Sequence, residues 1–254
     1  MLNCVKELKG YKLKCTDGDI GGVVEFYFDD RFWVVRYLVA QTGSWLTKKQ
    51  VLISPYAMKE VTREDESIFV NLTKKQLEEC PSTDADKPVS KQFEEAYYQF
   101  FGWPVYWGGP FMWGDYAFIQ NGRKKAAAAV KTEKAWDPHL RSTKYVTGYR
   151  IHAEDGEIGT VEDFIIDDES WAIRYIIVNT GEWLTGKKVL ISPRWIERVS
   201  FDEKKVYLGL TMENIKQAPE YTPETMPDRD YEERLHLHYK RQGYWGDESE
   251  VHEG

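Results

Sequence analysis

Apolar and polar positions alternate in short runs along two stretches of the chain, and Gly, Asp and Pro residues separate the runs. In the second stretch the pattern predicts a strand over 161–166, a hairpin loop over 167–170 and a returning strand over 171–177. Two further apolar runs, 189–191 and 206–210, predict additional strands. Short strands at this spacing are typical of an antiparallel meander or a small β-barrel.

Turn and cap residues recur in both stretches at matching places. Gly21 and Gly159 interrupt strand patterns, which indicates a bulge or tight bend at each. Thr73 and Thr211 precede short helical patterns and are predicted N-caps. The same local design is therefore used twice.

An internal repeat explains this recurrence. Residues 10–81 align with 148–219 at a constant offset of 138 positions, and 93–107 falls on 231–245 in the same register. Each copy is thus a β-rich module followed by an aromatic arm. The predicted organisation is a first module over 1–81, a Gly/Pro-rich aromatic connector with a short helix over 82–141, a second module over 142–220 and a helical arm over 221–254.

Three sequence segments carry a resemblance to a known family. They are DGEIGTVEDFIIDDESWAIRYIIV (155–178), KKVLISPRWIERV (187–199) and the related segment 17–61. These segments resemble the PRC-barrel family, whose modules occur in the H subunit of purple-bacterial photosynthetic reaction centres and at the C-terminus of ribosome maturation factors. The resemblance implies a mainly all-β fold of two SH3-like PRC β-barrels in tandem, with short helices in the connector and C-terminal arm. Family members act mainly as adaptor or assembly modules, although fold alone does not assign a function.

Composition narrows the choice of partners. The formal net charge is −8 and the sequence pI about 5.3, so the overall field repels phosphate backbones and anionic lipid. We therefore expect no direct binding to nucleic acid. The sequence has neither a transmembrane segment nor an export signal, and three cysteines without CxxC spacing suit a reducing compartment, so we expect a cytoplasmic protein.

No catalytic motif is present in the sequence, which predicts a non-enzymatic protein without a cofactor. Glu232 and His236 lie four positions apart and could share one helix face as metal ligands. In the first copy the counterparts are Glu94 and Tyr98, so the histidine ligand is missing there. We therefore expect no metal site.

Three residue pairs recur at the hairpin of each copy: Asp29 and Asp167, Trp33 and Trp171, and Arg36 and Arg174. The aspartates could bind a cation, but Asp commonly bonds its own loop backbone, which is the favoured interpretation. The arginines could form an anion site, and an ion pair inside the module is the favoured alternative.

The aromatic excess, 15% of the chain, supplies the candidate interaction residues. Trp45 and Trp183 precede the third strand of each copy. Each could cover the end of its barrel as a lid or form an exposed contact with a partner. The segment 100–118 either packs internally or forms an interface. The candidates are Trp45, Trp183, Trp103, Tyr106, Trp107, Phe111, Trp113, Tyr244 and Trp245.

The leading functional hypothesis is an adaptor that binds a protein partner or self-associates as a homo-oligomer. One alternative is a peripheral subunit of a membrane or electron-transfer complex, by analogy with the reaction-centre subunit. Another alternative is an accessory factor for ribosome assembly or RNA processing, which requires a localised basic face.

Overall fold

The computed structural model describes residues 1–42, 49–83, 91–103, 139–181, 186–222 and 226–245. The chain divides into two compact units. Unit 1 contains Met1, residues 3–145 and residues 166–173, and unit 2 contains Leu2, residues 146–165 and residues 174–254. The hairpin end of the second copy thus belongs to unit 1.

Within the described residues, the first part of the chain forms nine strands and four short helices. They are β1 (Leu2–Cys4), α1 (Val5–Leu8), β2 (Lys12–Cys15), β3 (Gly18–Asp29), β4 (Val34–Thr42), β5 (Lys49–Ile53), β6 (Met58–Thr62), β7 (Ser67–Val70), α2 (Lys74–Glu79), β8 (Ser82–Thr83), α3 (Lys91–Phe101), β9 (Leu140–Ser142) and α4 (Thr143–Val146).

The second part repeats most of this order, with β9 and α4 as the counterparts of β1 and α1 and with no described counterpart of β8. It contains β10 (Arg150–Ala153), β11 (Gly156–Asp167), β12 (Ile173–Asn179), β13 (Lys188–Ile191), a 3-10 helix (Pro193–Trp195), β14 (Ile196–Ser200), β15 (Lys205–Leu208), α5 (Met212–Lys216) and α6 (Arg229–His238).

The strands form two sheets, which confirms the predicted mainly β fold with short helices. The first sheet has the order β6-β7-β2-β3-β4-β5-β8 with β9 beside β3, and the second has the order β13-β12-β11-β10-β15-β14 with β1 beside β11. Neither strand path returns to its first strand within the described residues, so the sheets are open where the sequence predicts closed barrels.

The sheets also differ from a purely antiparallel meander. β2 pairs with β7 in parallel and β10 pairs with β15 in parallel, while the neighbouring pairs are antiparallel. These pairings require β5 and β6 to run in the same direction. The chain passes between them through a turn at Ser54, whose carbonyl accepts a hydrogen bond from the Ala57 N–H at 2.9 Å, and this turn does not reverse it. As a result, β7 runs parallel to β2 in the first sheet, and β15 runs parallel to β10 in the second.

Glycine is the residue that fits at both predicted bulges. Gly21 has φ +90° and Gly159 has φ +146°, and a Cβ on either would collide with a backbone carbonyl, that of Gln41 or that of Asn179 respectively. The register of β2 against β3, and of β10 against β11, shifts at these places. The structure thus confirms the predicted bulges.

The short helices α2 and α5 begin at the predicted caps. The Oγ1 of Thr73 accepts a hydrogen bond from the Gln76 N–H, and the Oγ1 of Thr211 accepts one from the Asn214 N–H. At the opposite ends, the Nζ of Lys49 donates to the carbonyls of Glu78 and Cys80, and the Nζ of Lys187 donates to those of Lys216 and Ala218. Both ends of each helix are therefore fixed by residues that recur at the repeat offset.

The hairpin of the second copy turns more tightly than the pattern predicts. The N–H of Trp171 donates to the carbonyl of Asp167 at 2.7 Å, and Trp171 has a left-handed φ of 58°. The returning strand consequently begins at Ile173 rather than at Trp171. The first copy does the same at Trp33, whose φ is 53°.

Candidate interaction surfaces

The first arm, residues 91–103, packs on the first sheet through α3. The hydroxyl of Tyr37 on β4 donates to Glu94 Oε1 at 2.7 Å, and both side chains are fully buried. The N–H of Ser54 donates to the hydroxyl of Tyr97 at 3.0 Å, and the Tyr98 hydroxyl lies 3.5 Å from Ser54 Oγ. The sheet face that carries Tyr37 is therefore covered by the arm, which explains why β4 is buried on both faces.

A buried cluster at this junction is surrounded by six apolar side chains, five of them aromatic, that remain partly exposed. The cluster consists of Tyr37, Val39, Leu52, Tyr97 and Tyr98. The surrounding residues, which we call the aromatic face, are Tyr27, Tyr56, Phe93, Phe101, Trp103 and Leu140. Within this set Trp103 stacks on Phe101 at 4.5 Å between ring centroids and on Tyr56 at 5.8 Å. Trp103, a candidate from the sequence, is thus held on a continuous aromatic surface.

Two strongly exposed aromatic residues lie near this face: Phe100 is on α3, which carries part of the face, and Tyr145 is on α4, where its side chain interacts electrostatically with that of Tyr27. Phe100 is 44% exposed and its ring lies 4.9 Å from that of Phe101. Tyr145 on α4 is 72% exposed. Their counterparts in the other copy are the polar residues His238 and Glu7. The fold accepts polar side chains at these positions, so it does not itself require aromatic ones.

The second arm, residues 226–245, packs on β12 through a different set of groups. The hydroxyls of Tyr175 and Tyr244 each donate to Glu232 Oε1 at 2.9 Å. The Tyr175 hydroxyl also lies 3.1 Å from His236 Nε2, while His236 Nδ1 lies 3.1 Å from the Gln242 carbonyl. We call Tyr175, Glu232, His236 and Tyr244 the polar arm cluster. Glu232 and His236 are each 3% exposed, so the cluster is almost closed to solvent.

Arginines and tryptophans enclose the polar arm cluster. Arg174 stacks on the Tyr244 ring at 3.9 Å, and Arg229 stacks on the Trp245 ring at 4.2 Å. Arg229 also lies 3.2 Å from Glu232 Oε2. Tyr244 and Trp245, two candidates from the sequence, are therefore fixed by cation–π contacts on their own unit.

Burial shifts the acid–base behaviour of this cluster in two directions. It raises the pKa of the Glu232 carboxyl, against the lowering effect of the tyrosine hydroxyls and of Arg229. It lowers the pKa of the His236 imidazole, and the charges of Arg194 and Arg229 act in the same direction. Burial thus disfavours the charged form of each group, while the hydrogen bonds from Tyr175 and Tyr244 and the charge of Arg229 favour the Glu232 carboxylate, and backbone hydrogen bonds with Gln242 and Arg241 favour protonated His236.

The recurring hairpin residues form loops. The Oδ1 of Asp29 accepts a hydrogen bond from the Arg31 N–H at 3.0 Å, and the Oδ1 of Asp167 accepts one from the Glu169 N–H at 3.1 Å. Arg36 is fully buried, with its Nη2 atom 3.7 Å from Asp29 Oδ2. Each aspartate therefore holds the turn of its own hairpin.

Trp33 and Trp171 are buried, and their carbonyls join the two hairpins inside unit 1. The N–H of Val35 donates to the Trp171 carbonyl at 2.8 Å, and the N–H of Ile173 donates to the Trp33 carbonyl at 2.7 Å. Trp33 stacks on Phe28 at 5.3 Å between centroids. These tryptophans pack the hairpins and do not form an exposed contact.

The remaining interaction candidates lie outside the described residues. They are Trp45, Trp183, Tyr106, Trp107, Phe111 and Trp113. In the described part of the chain, no group of three or more His, Cys, Asp or Glu residues could hold a metal ion. Within the same ranges, no helix is long and apolar enough to cross a membrane.

Sequence reasoning missed the buried contact between a strand tyrosine and an arm glutamate. Tyr37 and Tyr175 are repeat counterparts, and so are Glu94 and Glu232. Both pairs form hydrogen bonds of the same kind. The signal was present, because four polar residues recur at one offset inside otherwise apolar segments, but the pattern does not indicate that a strand and an arm meet.

Two comparisons with known proteins give a family match and a relative. Residues 146–211 match the family model of the PRC-barrel domain. A segment of 66 residues is 39% identical to an uncharacterised protein of Deinococcus radiodurans. That match spans 26% of this chain and 23% of the relative, so the chain covers about a quarter of the relative's length. A PRC-barrel domain is therefore present at residues 146–211, and this domain type suggests a role in protein interaction.

Proposed function

We propose that this chain is a non-enzymatic adaptor that binds a protein partner through the aromatic face of unit 1. The PRC-barrel domain at 146–211 supports an interaction role for the chain. The aromatic face supplies a surface of suitable chemistry. Partly exposed aromatic side chains held by a rigid buried cluster provide large contact area with little loss of conformational entropy on binding.

The exposure of Phe100 and Tyr145 carries the proposal. A single exposed apolar side chain is ordinary, but exposed aromatic side chains next to an apolar face are typical of an interaction site. In the other copy the same two positions hold His238 and Glu7, although the surrounding elements recur. We infer that the aromatic residues are retained for binding.

We further propose that residues 10–81 are a second PRC-type module, so that the chain is a tandem protein. Support comes from the contacts that recur at the repeat offset. Lys49 and Lys187 donate to the ends of α2 and α5, and Thr73 and Thr211 cap their starts. Long-range contacts of this kind are reproduced only where the surrounding chain takes the same path.

The proposal can be tested by site-specific photo-cross-linking. A photoreactive phenylalanine analogue is placed at Phe100 or Tyr145 in the full chain, and at the counterparts His238 and Glu7 as matched controls. We expect discrete protein adducts from the first two positions and none from the controls. Size-exclusion chromatography with light scattering then distinguishes a second copy of the chain from a different partner.

A variant that exchanges counterpart residues provides the second arm of the experiment. The double substitution Phe100→His and Tyr145→Glu introduces side chains that the same fold already accepts at these positions. We expect the double variant to bind the cross-linked partner about tenfold or more weakly than the wild type does, as removal of central aromatic contacts does. Equal adducts at all four positions, or an association unchanged in the double variant, would overturn the proposal.

A further inference from the structure

The two hairpins inside unit 1 are joined by hydrogen bonds that form a reciprocal pair. The N–H of Val35 donates to the Trp171 carbonyl at 2.8 Å, and the N–H of Ile173 donates to the Trp33 carbonyl at 2.7 Å. Val35 and Ile173 are counterparts at the offset of 138, and so are Trp33 and Trp171. Each bond therefore becomes the other when the two copies are interchanged.

A second reciprocal pair joins each hairpin to the residue that precedes β1 or β9. The N–H of Asp30 donates to the His139 carbonyl at 2.9 Å, and the N–H of Asp168 donates to the Met1 carbonyl at 3.0 Å. Asp168 is the counterpart of Asp30, and His139 is the counterpart of Met1. The same interchange of copies thus relates four backbone hydrogen bonds in one part of unit 1.

The side chains of the two aspartates follow the same relation. Asp30 Oδ2 accepts a hydrogen bond from Arg141 Nε at 2.9 Å, and Asp168 Oδ2 accepts one from Asn3 Nδ2 at 2.8 Å. Asn3 is the counterpart of Arg141. The direction of each contact is therefore preserved, although the donor is charged in one case and neutral in the other.

One position of each hairpin meets its own counterpart. Val34 and Ala172 are partners in an antiparallel bridge, and the offset of 138 relates them. A residue contacts its own counterpart only where it lies on the axis that relates the two copies. An approximate two-fold axis therefore passes between Val34 and Ala172, which is the arrangement found in the self-complementary interface of a symmetric homodimer.

We call residues 30–35 and 168–173, with the groups that they bind, the hairpin junction. From its symmetry we propose that the hairpin junction is a pairing surface for a second copy of this chain, and that two chains associate by exchanging copies. In the exchanged dimer the first hairpin of each chain pairs with the second hairpin of the other chain. The inference does not rest on the proposed function, because it uses the hairpins and not the exposed aromatic residues.

An opened hairpin would be unstable without a partner. Trp171 is 3% exposed, and its ring lies 6.3 Å from that of Phe26 on β3. Separation of the hairpins would remove this apolar contact and leave the amides of Val35 and Ile173 without their acceptors. A chain that opens therefore gains stability by pairing either with its own second hairpin or with that of another chain.

Concentration decides between these two outcomes. Two separate chains contain two hairpin junctions, and one exchanged dimer also contains two, so the junction contacts favour neither state. The balance then follows mass action and the effective concentration of one copy near the other in the same chain. While the single chain predominates, a tenfold rise in chain concentration should raise the ratio of dimer to single chain by about tenfold.

Cysteines at the axis position report the pairing directly. The bonds that flank Val34 and Ala172 start from Val35 and Ile173, so the bridge is a non-hydrogen-bonded antiparallel pair. The Cα atoms of such a pair lie about 4.5 Å apart, within the range that a disulfide spans. The double variant Val34→Cys with Ala172→Cys should therefore form an intramolecular disulfide, and its failure to do so would overturn the proposal.

The two single variants test exchange between chains. Equal amounts of the Val34→Cys chain and the Ala172→Cys chain are unfolded in urea with a reductant, refolded together at several concentrations and oxidised. We expect covalent dimers linked between positions 34 and 172, identified by mass spectrometry of the peptides, in a yield that rises with the refolding concentration. Either variant alone should form no more covalent dimer than the wild type, whose cysteines are buried.

A matched pair of variants measures random collision between chains. Phe32 and Ser170 are counterparts in the same hairpins but lie off the axis, and Phe32 is 49% exposed. A mixture of Phe32→Cys and Ser170→Cys chains should give far fewer covalent dimers than the axis mixture. Equal yields in the two mixtures, or no dimer linked between positions 34 and 172, would overturn the proposal.

The wild-type chain provides a measurement that does not depend on how the variants fold. Its molar mass is determined by size-exclusion chromatography with light scattering after refolding at increasing concentration. We expect a dimer whose share increases with the refolding concentration. A wild-type chain that stays single at every concentration up to about 1 mM, the effective concentration typical of linked modules, would also overturn the proposal.

Discussion

Replacement of Tyr175 by phenylalanine tests how a buried carboxylate is stabilised in the second arm. The substitution removes the hydroxyl that donates to Glu232 Oε1 at 2.9 Å. Glu232 is 3% exposed, so water cannot replace the lost donor. The hydroxyl of Tyr244 and the guanidinium of Arg229 remain beside the carboxylate.

The expected cost follows from the charge of the acceptor. A hydrogen bond to a charged group contributes about 1.5–3 kcal/mol to stability, against about 0.5–1.5 kcal/mol for a neutral pair. Tyr231→Phe is the matched control, because Tyr231 lies on the same helix and its hydroxyl donates to the neutral Pro219 carbonyl at 3.1 Å. Tyr175→Phe should therefore lower the free energy of unfolding by more than Tyr231→Phe does.

The double variant sharpens the prediction. Tyr175→Phe with Tyr244→Phe removes both donors to Oε1, so the double loss should exceed the sum of the single losses by about 0.5 kcal/mol or more. The assay is urea unfolding near neutral pH, followed by tryptophan fluorescence and read in the transition of unit 2. A Tyr175→Phe cost no larger than that of Tyr231→Phe, or strictly additive losses, would refute the reasoning.

Three further predictions concern the modules themselves. Gly21→Ala should lower the free energy of unfolding by about 2 kcal/mol or more, because left-handed backbone strain adds to the collision with the Gln41 carbonyl. Gly10→Ala, with nothing within 4 Å of its Cβ, should cost less in the same urea titration, and equal costs would contradict this account. Lys187→Met should speed amide exchange in α5, because the carbonyls at its end lose their donor; unchanged exchange would show that the lysine is dispensable. Burial raises the pKa of Cys80 to about 11, so a thiol reagent should modify it far more slowly in the native protein than in urea near neutral pH, and equal rates would count against a buried thiol.

The two arms show how one arrangement is maintained with different chemistry. Both use a strand tyrosine and an arm glutamate, Tyr37 with Glu94 and Tyr175 with Glu232. Near Glu94 the packing is aromatic, whereas near Glu232 it includes a histidine and stacked arginines. The same tyrosine–glutamate contact is therefore compatible with different surrounding side chains in the two arms.

The sequence by itself determined the features that depend on neighbouring residues. The repeat, the mainly β content, the bulges at Gly21 and Gly159 and the caps at Thr73 and Thr211 were all predicted from local patterns. Backbone conformation and cap hydrogen bonds act over a few positions, so residue type and spacing are sufficient to specify them.

Only the tertiary structure decided which distant groups meet. The parallel pairing of β2 with β7, the contact of Tyr175 with Glu232 across 57 positions and the burial of both faces of β4 under α3 depend on the path of the whole chain. The alternating pattern shows that a strand has two faces, but it does not tell which face a later helix will cover. That choice depends on packing between elements far apart in sequence, where energy is gained only after the chain has closed the intervening loops.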